Sequence, residues 1–378
     1  MPDDRSIVLR GMTWDHPRGY APLAACSAAW FARTGVRITW ARRSLQDFES
    51  FPVSELAARY DLIVIDHPHV GQVTRAGCLA PLGDAADRER LAGGAVGASV
   101  QSYFWAQRLW ALPIDAAAQV QAWRPDRLSA PLADWVSVLA LAAEGSVLCP
   151  LRPPHNLMAL FTLCGLAGCP GRVQAGDLLE PRTGQEAYAH LSELFARLDP
   201  ACLAMDPIAV LERMAAADSP AACAPLIYGY VSYSRSGTHG APIAFGDPAP
   251  LARGGPRSGS VLGGTGIAVS AHSPEREAAM AFARWVADAE AQNGPYLAAG
   301  GQPAHRAAWE DPLANRDSLD FFRNTRATLE GAWVRPRHAG YMTFQVAAAQ
   351  RLNEALATRE PAAALIAAIN RLHREVSS

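Results

Sequence analysis

A chain of 378 residues, 50% hydrophobic and 19% charged, is long enough for two domains with substantial cores. Its net charge of −2 gives no electrostatic case for nucleic acid or an anionic membrane surface. The 34 residues counted as lysine plus arginine are all arginine. That excludes Schiff-base, pyridoxal-phosphate and phosphate-loop lysine chemistry.

The chain begins with an expected strand over 6–10. A helix over 20–34 follows, closed by Gly35 at a C-cap position, and then a strand over 36–40. A short helix over 53–59 leads into Leu62, Ile63, Val64 and Ile65, an unbroken apolar run rich in β-branched residues. Such a run reads as a strand buried on both faces of a parallel sheet. Alternating β and α units of this kind open a doubly wound sheet, whose ligands sit at the carboxyl ends of the strands. Here those ends carry Trp14–Gly19, Arg42–Gln46 and Asp66–His69.

Residues 99–105 and 108–114 read as extended, 120–123 and 147–149 as short strands, and 132–143 and 155–164 as helices. Residues 184–198 form an amphipathic helix. A shorter helix covers 207–217 and a strand lies within 224–232. A Gly- and Pro-rich loop over 236–266 precedes a strand at 267–270. Ser273 caps an expected helix over 274–288, and the tail reads as three helices over 319–329, 341–357 and 361–376.

Seven cysteines without a CxxC pair fit neither a disulfide framework nor a zinc ribbon and suit a reducing compartment. No stretch reaches the roughly 18 apolar residues of a membrane span, so membrane insertion is not expected. No apolar signal core precedes the first strand. The expected location is cytoplasmic for the chain as it stands, and periplasmic if an export signal has been trimmed.

Several segments carry a family resemblance in order: YDLIVIDHPHVGQVTRAGCLAPLGD, LWALPIDAAAQVQAWRPD, LGGTGIAVSAHSPEREAAMAFARWVADAEAQ, GGQPAHRAAW and VRPRHAGYMTFQ. Together they make the chain resemble the family 1 extracellular solute-binding proteins of ABC importers. The resemblance implies an α/β, two-lobed type II periplasmic-binding-protein-like fold with a ligand cleft between hinged lobes. It places residues 1–113 plus 262–305 in lobe 1, and 114–261 plus 306–378 in lobe 2. It implies a small-molecule ligand, an ABC permease as partner if the protein is exported, and no cofactor.

The candidate ligand residues follow from strand ends and family-like segments. Trp14, His16 and Arg18 end the first strand, and Arg43, Ser44 and Gln46 the second. Asp66, His67 and His69 end the central strand. Their spacing matches no standard zinc pattern and Pro68 stiffens the loop, so a metal is not expected. Hydrogen bonding to ligand, acid–base work and structural capping all remain open for them. Asp115 lies in the first crossover segment. Tyr228 and Tyr230, near Tyr233, offer aromatic faces or core packing. Gly264 and Thr265 stand in a glycine-rich turn that is not a dinucleotide fingerprint. Trp333 and Arg335 lie in the family-like tail. Trp105, Trp110, Trp123, Trp135 and Trp285 read as core.

Two functions compete. One is a receptor for a polar solute; Arg18 and Arg43 predict that at least one arginine meets an anionic or carboxylate-bearing ligand. The other is a cytoplasmic lyase, dehydratase or isomerase on the same fold, with His16, Asp66, His67 or His69 as acid and base. A ligand-sensing interaction protein is a third. No GxSxG occurs to support a serine nucleophile.

Overall fold

A computed structural model describes residues 7–45, 52–172 and 176–377. Gln46 lies outside the described residues. The strands in chain order are β1 (Val8–Trp14), β2 (Arg37–Arg43), β3 (Leu62–Asp66), β4 (Leu79–Ala80), β5 (Phe104–Trp105), β6 (Arg108–Leu109), β7 (Leu112–Trp123), β8 (Cys223–Tyr228), β9 (Ala244–Gly246) and β10 (Leu262–Ser270). The chain divides into two units. The first comprises Met1–Ala116, Gly263–Ala314 and Arg337–Ala339; the second comprises Ala117–Leu262, Asn315–Pro336 and Gly340–Ser378.

In the first unit β1 pairs in parallel with β2, from Val8 opposite Arg37 to Trp14 opposite Arg43, and also in parallel with β3. β10 runs antiparallel to β3, with Thr265 opposite Asp66 and Val269 opposite Leu62. The first four positions of β3 are buried, as its apolar run requires. The helix Pro17–Thr34 starts with His16 as N-cap and proline in its first turn, and ends at Gly35 with φ +76°. Proline at the start and a left-handed glycine past the end are the natural punctuation of a helix.

In the second unit β7 pairs antiparallel with β8 and with β9, with a register shift between Val120 and Ala122. The helix His155–Leu166 is buried at every position. Side-chain amides tie its neighbours down: Asn156 donates to the Ala349 carbonyl at 2.8 Å, and Asn370 both accepts from Leu179 N–H and donates to its carbonyl. The Tyr188 hydroxyl donates to the Ala355 carbonyl at 3.0 Å.

Several boundaries differ from those read in the sequence. β1 runs on to Trp14 because each of its residues finds a register partner in β2. β7 is one strand, buried at all twelve positions, where two separate segments were expected, so Asp115 sits inside a strand. Gly263–Gly266 also lie within a strand, β10. Residues 99–102 form a helical turn. β8 ends at Tyr228, and Tyr230 caps a 3₁₀ turn rather than sharing a strand face. The helix expected to be capped by Ser273 begins at Arg276; the Ser273 hydroxyl accepts from Glu275 N–H at 3.2 Å just before it and donates to Asp61 at 2.7 Å. Residues 306–314, expected in the second lobe, cluster with the first unit. Arg306 N–H donates to the Gly94 carbonyl at 2.7 Å, which fixes the start of that helix there.

Candidate functional site

Parallel pairing brings the carboxyl ends of β1, β2 and β3 to one edge of the first unit's sheet, and antiparallel β10 brings its amino end to the same edge. The structure thereby gathers Trp14, His16, Arg18, Asp66, His67, His69, Gly264 and Thr265 of the sequence-read residues, with Asp115 beside them. Arg43 is half-buried and Ser44 exposed at the end of β2.

The first loop is organised by capping and packing. His16 Nδ1 accepts from Arg18 N–H at 3.1 Å and so caps the helix that follows. Trp14 is buried and packs on Gly19, where a Cβ would lie 2.4 Å from the indole ring. The Thr13 hydroxyl closes the turn by donating to the Gly19 carbonyl.

Arg18, 4% exposed, grips Asp115, 2% exposed. Its Nε donates to Oδ2 at 2.8 Å and its Nη2 to Oδ1 at 2.5 Å, a bidentate pair. Burial pushes the Asp115 carboxyl up, while Arg18 draws it back by charge and hydrogen bond. The fully buried Tyr296 hydroxyl is also pushed up, first by burial and then by the Asp115 charge. Arg18 is therefore a partner of Asp115, whereas the sequence offered it to an anionic ligand.

Beside this pair, Gly264 has φ +91°, and a Cβ there would lie 2.3 Å from the Asp115 carbonyl oxygen. Both conformation and space demand glycine. Thr265 follows, cross-strand from Asp66, so the two side chains share a face. Thr265 is buried, and its hydroxyl has no hydrogen-bond partner among the described residues. Tyr103, which sequence reading missed, braces this corner. Its hydroxyl donates to the Ile65 carbonyl at 3.0 Å and lies 3.5 Å from the Gly264 carbonyl, and its ring meets His67 edge-on at 6.3 Å. No local signal marks Tyr103, because long-range pairing alone brings it here. His67 and His69 are both buried, in a 3₁₀ turn.

The second unit assembles other candidates. Arg335 donates to Gln345 Oε1 at 2.9 Å. The Tyr341 hydroxyl is pushed up by burial, is pulled down by the Arg335 charge and feels Tyr228. Burial holds His155 down at about 4, with Arg335 among its charged neighbours. Tyr228 and Arg335 thus gather with Tyr341 and His155, which sequence reading did not single out; Tyr341 stood within the family-like tail. Trp333 packs edge-on against Phe161 at 5.5 Å, and its backbone is paired with Val261. Tyr230 meets Tyr233 edge-on at 6.3 Å, and the Tyr233 hydroxyl donates to Glu212 at 2.7 Å.

Among the described residues no group of three or more His, Cys, Asp or Glu side chains is placed to hold a metal ion. Among the described residues no helix is long and apolar enough to cross a membrane. The strand-end corner offers buried hydrogen-bonding groups beside aromatic surface, a composition suited to recognising a small polar molecule.

Comparison with known proteins agrees. The profile of a family described as bacterial extracellular solute-binding protein matches residues 33–318. No curated protein sequence matches the chain. Among solved structures, maltose-bound T. maritima MalE3 superposes with a TM-score of 0.82 at 17% identity, covering 97% of this chain and 98% of that one. An ABC transporter solute-binding protein from Agrobacterium radiobacter K84 in complex with ribitol gives 0.79 at 17% identity, covering 98% of each chain. The Thermus thermophilus maltotriose-binding protein with maltotriose gives 0.77 at 17% identity, covering 98% of this chain and 100% of that one.

Proposed function

Because the chain belongs to the bacterial extracellular solute-binding protein family, of ABC-transporter type and with the two-lobed type II periplasmic-binding-protein fold, we propose that its solute is a small, neutral, polyhydroxylated molecule, a sugar or a polyol. The observation that carries this reading is the Arg18–Asp115 pair. The buried guanidinium that sequence reading offered to a ligand carboxylate already holds one from the protein itself. What stands beside it is hydroxyl chemistry: the buried Thr265 hydroxyl has no protein partner among the described residues and suits a ligand that brings its own hydroxyls. Sugars and a polyol occupy the solved structures of similar fold.

The acid–base enzyme has less support, since His16 is engaged as a helix cap. Delivery to an ABC permease and residence outside the cytoplasmic membrane go with the receptor proposal, and immunoblotting of fractionated cells tests the location.

The direct test is calorimetric titration of the full chain with maltose, ribitol and tagatose against gluconate and glucarate, alongside mass spectrometry of whatever solute co-purifies. Saturable binding of a neutral sugar or polyol is expected. It should raise thermal stability by about 2.7 kcal/mol at a hundredfold excess over Kd. A co-purified solute carrying a carboxylate, with gluconate or glucarate binding in preference to the neutral compounds, would overturn the neutral reading.

A further inference from the structure

We infer that the first unit holds a second small-molecule site, apart from the strand-end residues, and that this site takes a small apolar carboxylate. A cavity of about 260 Å³ opens there, with Leu82, Leu91 and Leu112 among its lining residues and Arg90, Arg284, Asp288 and His305 supplying its charged and polar groups. None of the strand-end residues lines it, so the inference does not rest on the solute-binding proposal.

The charges around this cavity are unequally engaged. Arg90 donates to Asp87 at 2.9 Å. Asp288 accepts from Ala289 N–H at 2.6 Å and caps the helical turn that follows. His305 Nδ1 accepts from Ala307 N–H at 3.3 Å, and its ring lies against Gly94, where a Cβ would stand 2.6 Å from Nε2. Burial holds His305 below the ordinary histidine range, which favours the neutral ring. Arg284 has no hydrogen-bond or ion-pair partner among the described residues. Its charge reaches Asp87, but only behind the direct bond from Arg90.

The uncommitted group is thus the exposed Arg284 guanidinium, which lines the same cavity as Leu82, Leu91 and Leu112. Guanidinium recognises a carboxylate through paired N–H donors, and leucine surface takes an apolar body. The volume falls short of the roughly 300–1,000 Å³ of drug-sized sites, so the ligand is of hexanoate or benzoate size.

Saturation-transfer NMR and calorimetry of the full chain with sodium hexanoate, and with 1-hexanol as the uncharged control, test the inference. Saturable hexanoate binding is expected, with hexanol several-fold weaker. Arg284→Gln should weaken hexanoate about tenfold, the effect of losing a charge-assisted hydrogen bond, and leave hexanol unchanged. Leu91→Trp, which fills the cavity from a partly exposed position, should abolish both. Circular dichroism melting of each variant verifies the fold. Absence of saturable hexanoate binding, equal affinity for hexanol, or undiminished binding by either variant would each overturn the inference.

Discussion

Arg18 and Asp115, 97 positions apart, hold one another through two hydrogen bonds in an interior that leaves each less than 5% exposed. One begins the helix after the first strand; the other lies in a fully buried strand that the sequence reading had broken in two. A buried pair of this kind is costly to break from one side, because the remaining charge keeps its desolvation penalty and loses its partner. Arg18→Met and Asp115→Leu should each destabilise the protein by about 3–5 kcal/mol, whereas the double substitution should cost much less than the two together. Urea unfolding of the three variants reads this directly. An Arg18→Met variant of undiminished stability that has lost its solute would instead make Arg18 a ligand residue.

Thr265 gives the opposite signature. Its hydroxyl lacks a protein partner among the described residues, so Thr265→Val removes no intramolecular hydrogen bond. Stability should hold or rise by up to about 1 kcal/mol. Affinity for the solute should fall by roughly three- to tenfold, the worth of one hydrogen bond. Unchanged affinity would remove Thr265 from the binding surface.

His155 makes stability depend on pH. Its folded-state value of about 4 lies below the ordinary 6.5, chiefly through burial. As pH falls below about 6.5 the unfolded chain takes up a proton here, and the folded chain does not until about 4. Stability is therefore lost through that window and levels off beneath it, by on the order of 3 kcal/mol at full effect. His155→Gln should flatten the slope measured by urea unfolding between pH 6.5 and 4. A variant as steep as the parent would show that other groups set it.

The cysteines supply a chemical test. All seven are free; six are buried and Cys169 is only partly so. Burial pushes the Cys26 and Cys164 thiols up to about 12, and the thiolate is the reactive form. Ellman titration of native protein should find one fast thiol, lost in Cys169→Ser, and denaturation without reductant should release all seven. A shortfall after denaturation would reveal disulfides formed in an oxidising compartment.

The amino-acid sequence carries the parallel β–α–β opening in local signals, since the apolar run 62–65 marks burial and the caps around the helix Pro17–Thr34 mark chain reversal. It also placed Trp14, His16, Asp66 and His67 at strand ends, because a polar cluster after a buried strand is legible without coordinates. Its family-like segments pointed to the solute-binding fold. The partners of those residues come from the folded chain. His16 caps the helix through Nδ1, Arg18 pairs with Asp115, and Tyr103 braces the Ile65 and Gly264 carbonyls beside His67. The reason is physical: periodicity and capping act over one or two turns of chain, whereas an ion pair across 97 positions, or a hydroxyl reaching another strand's carbonyl, exists only once the strands are in register.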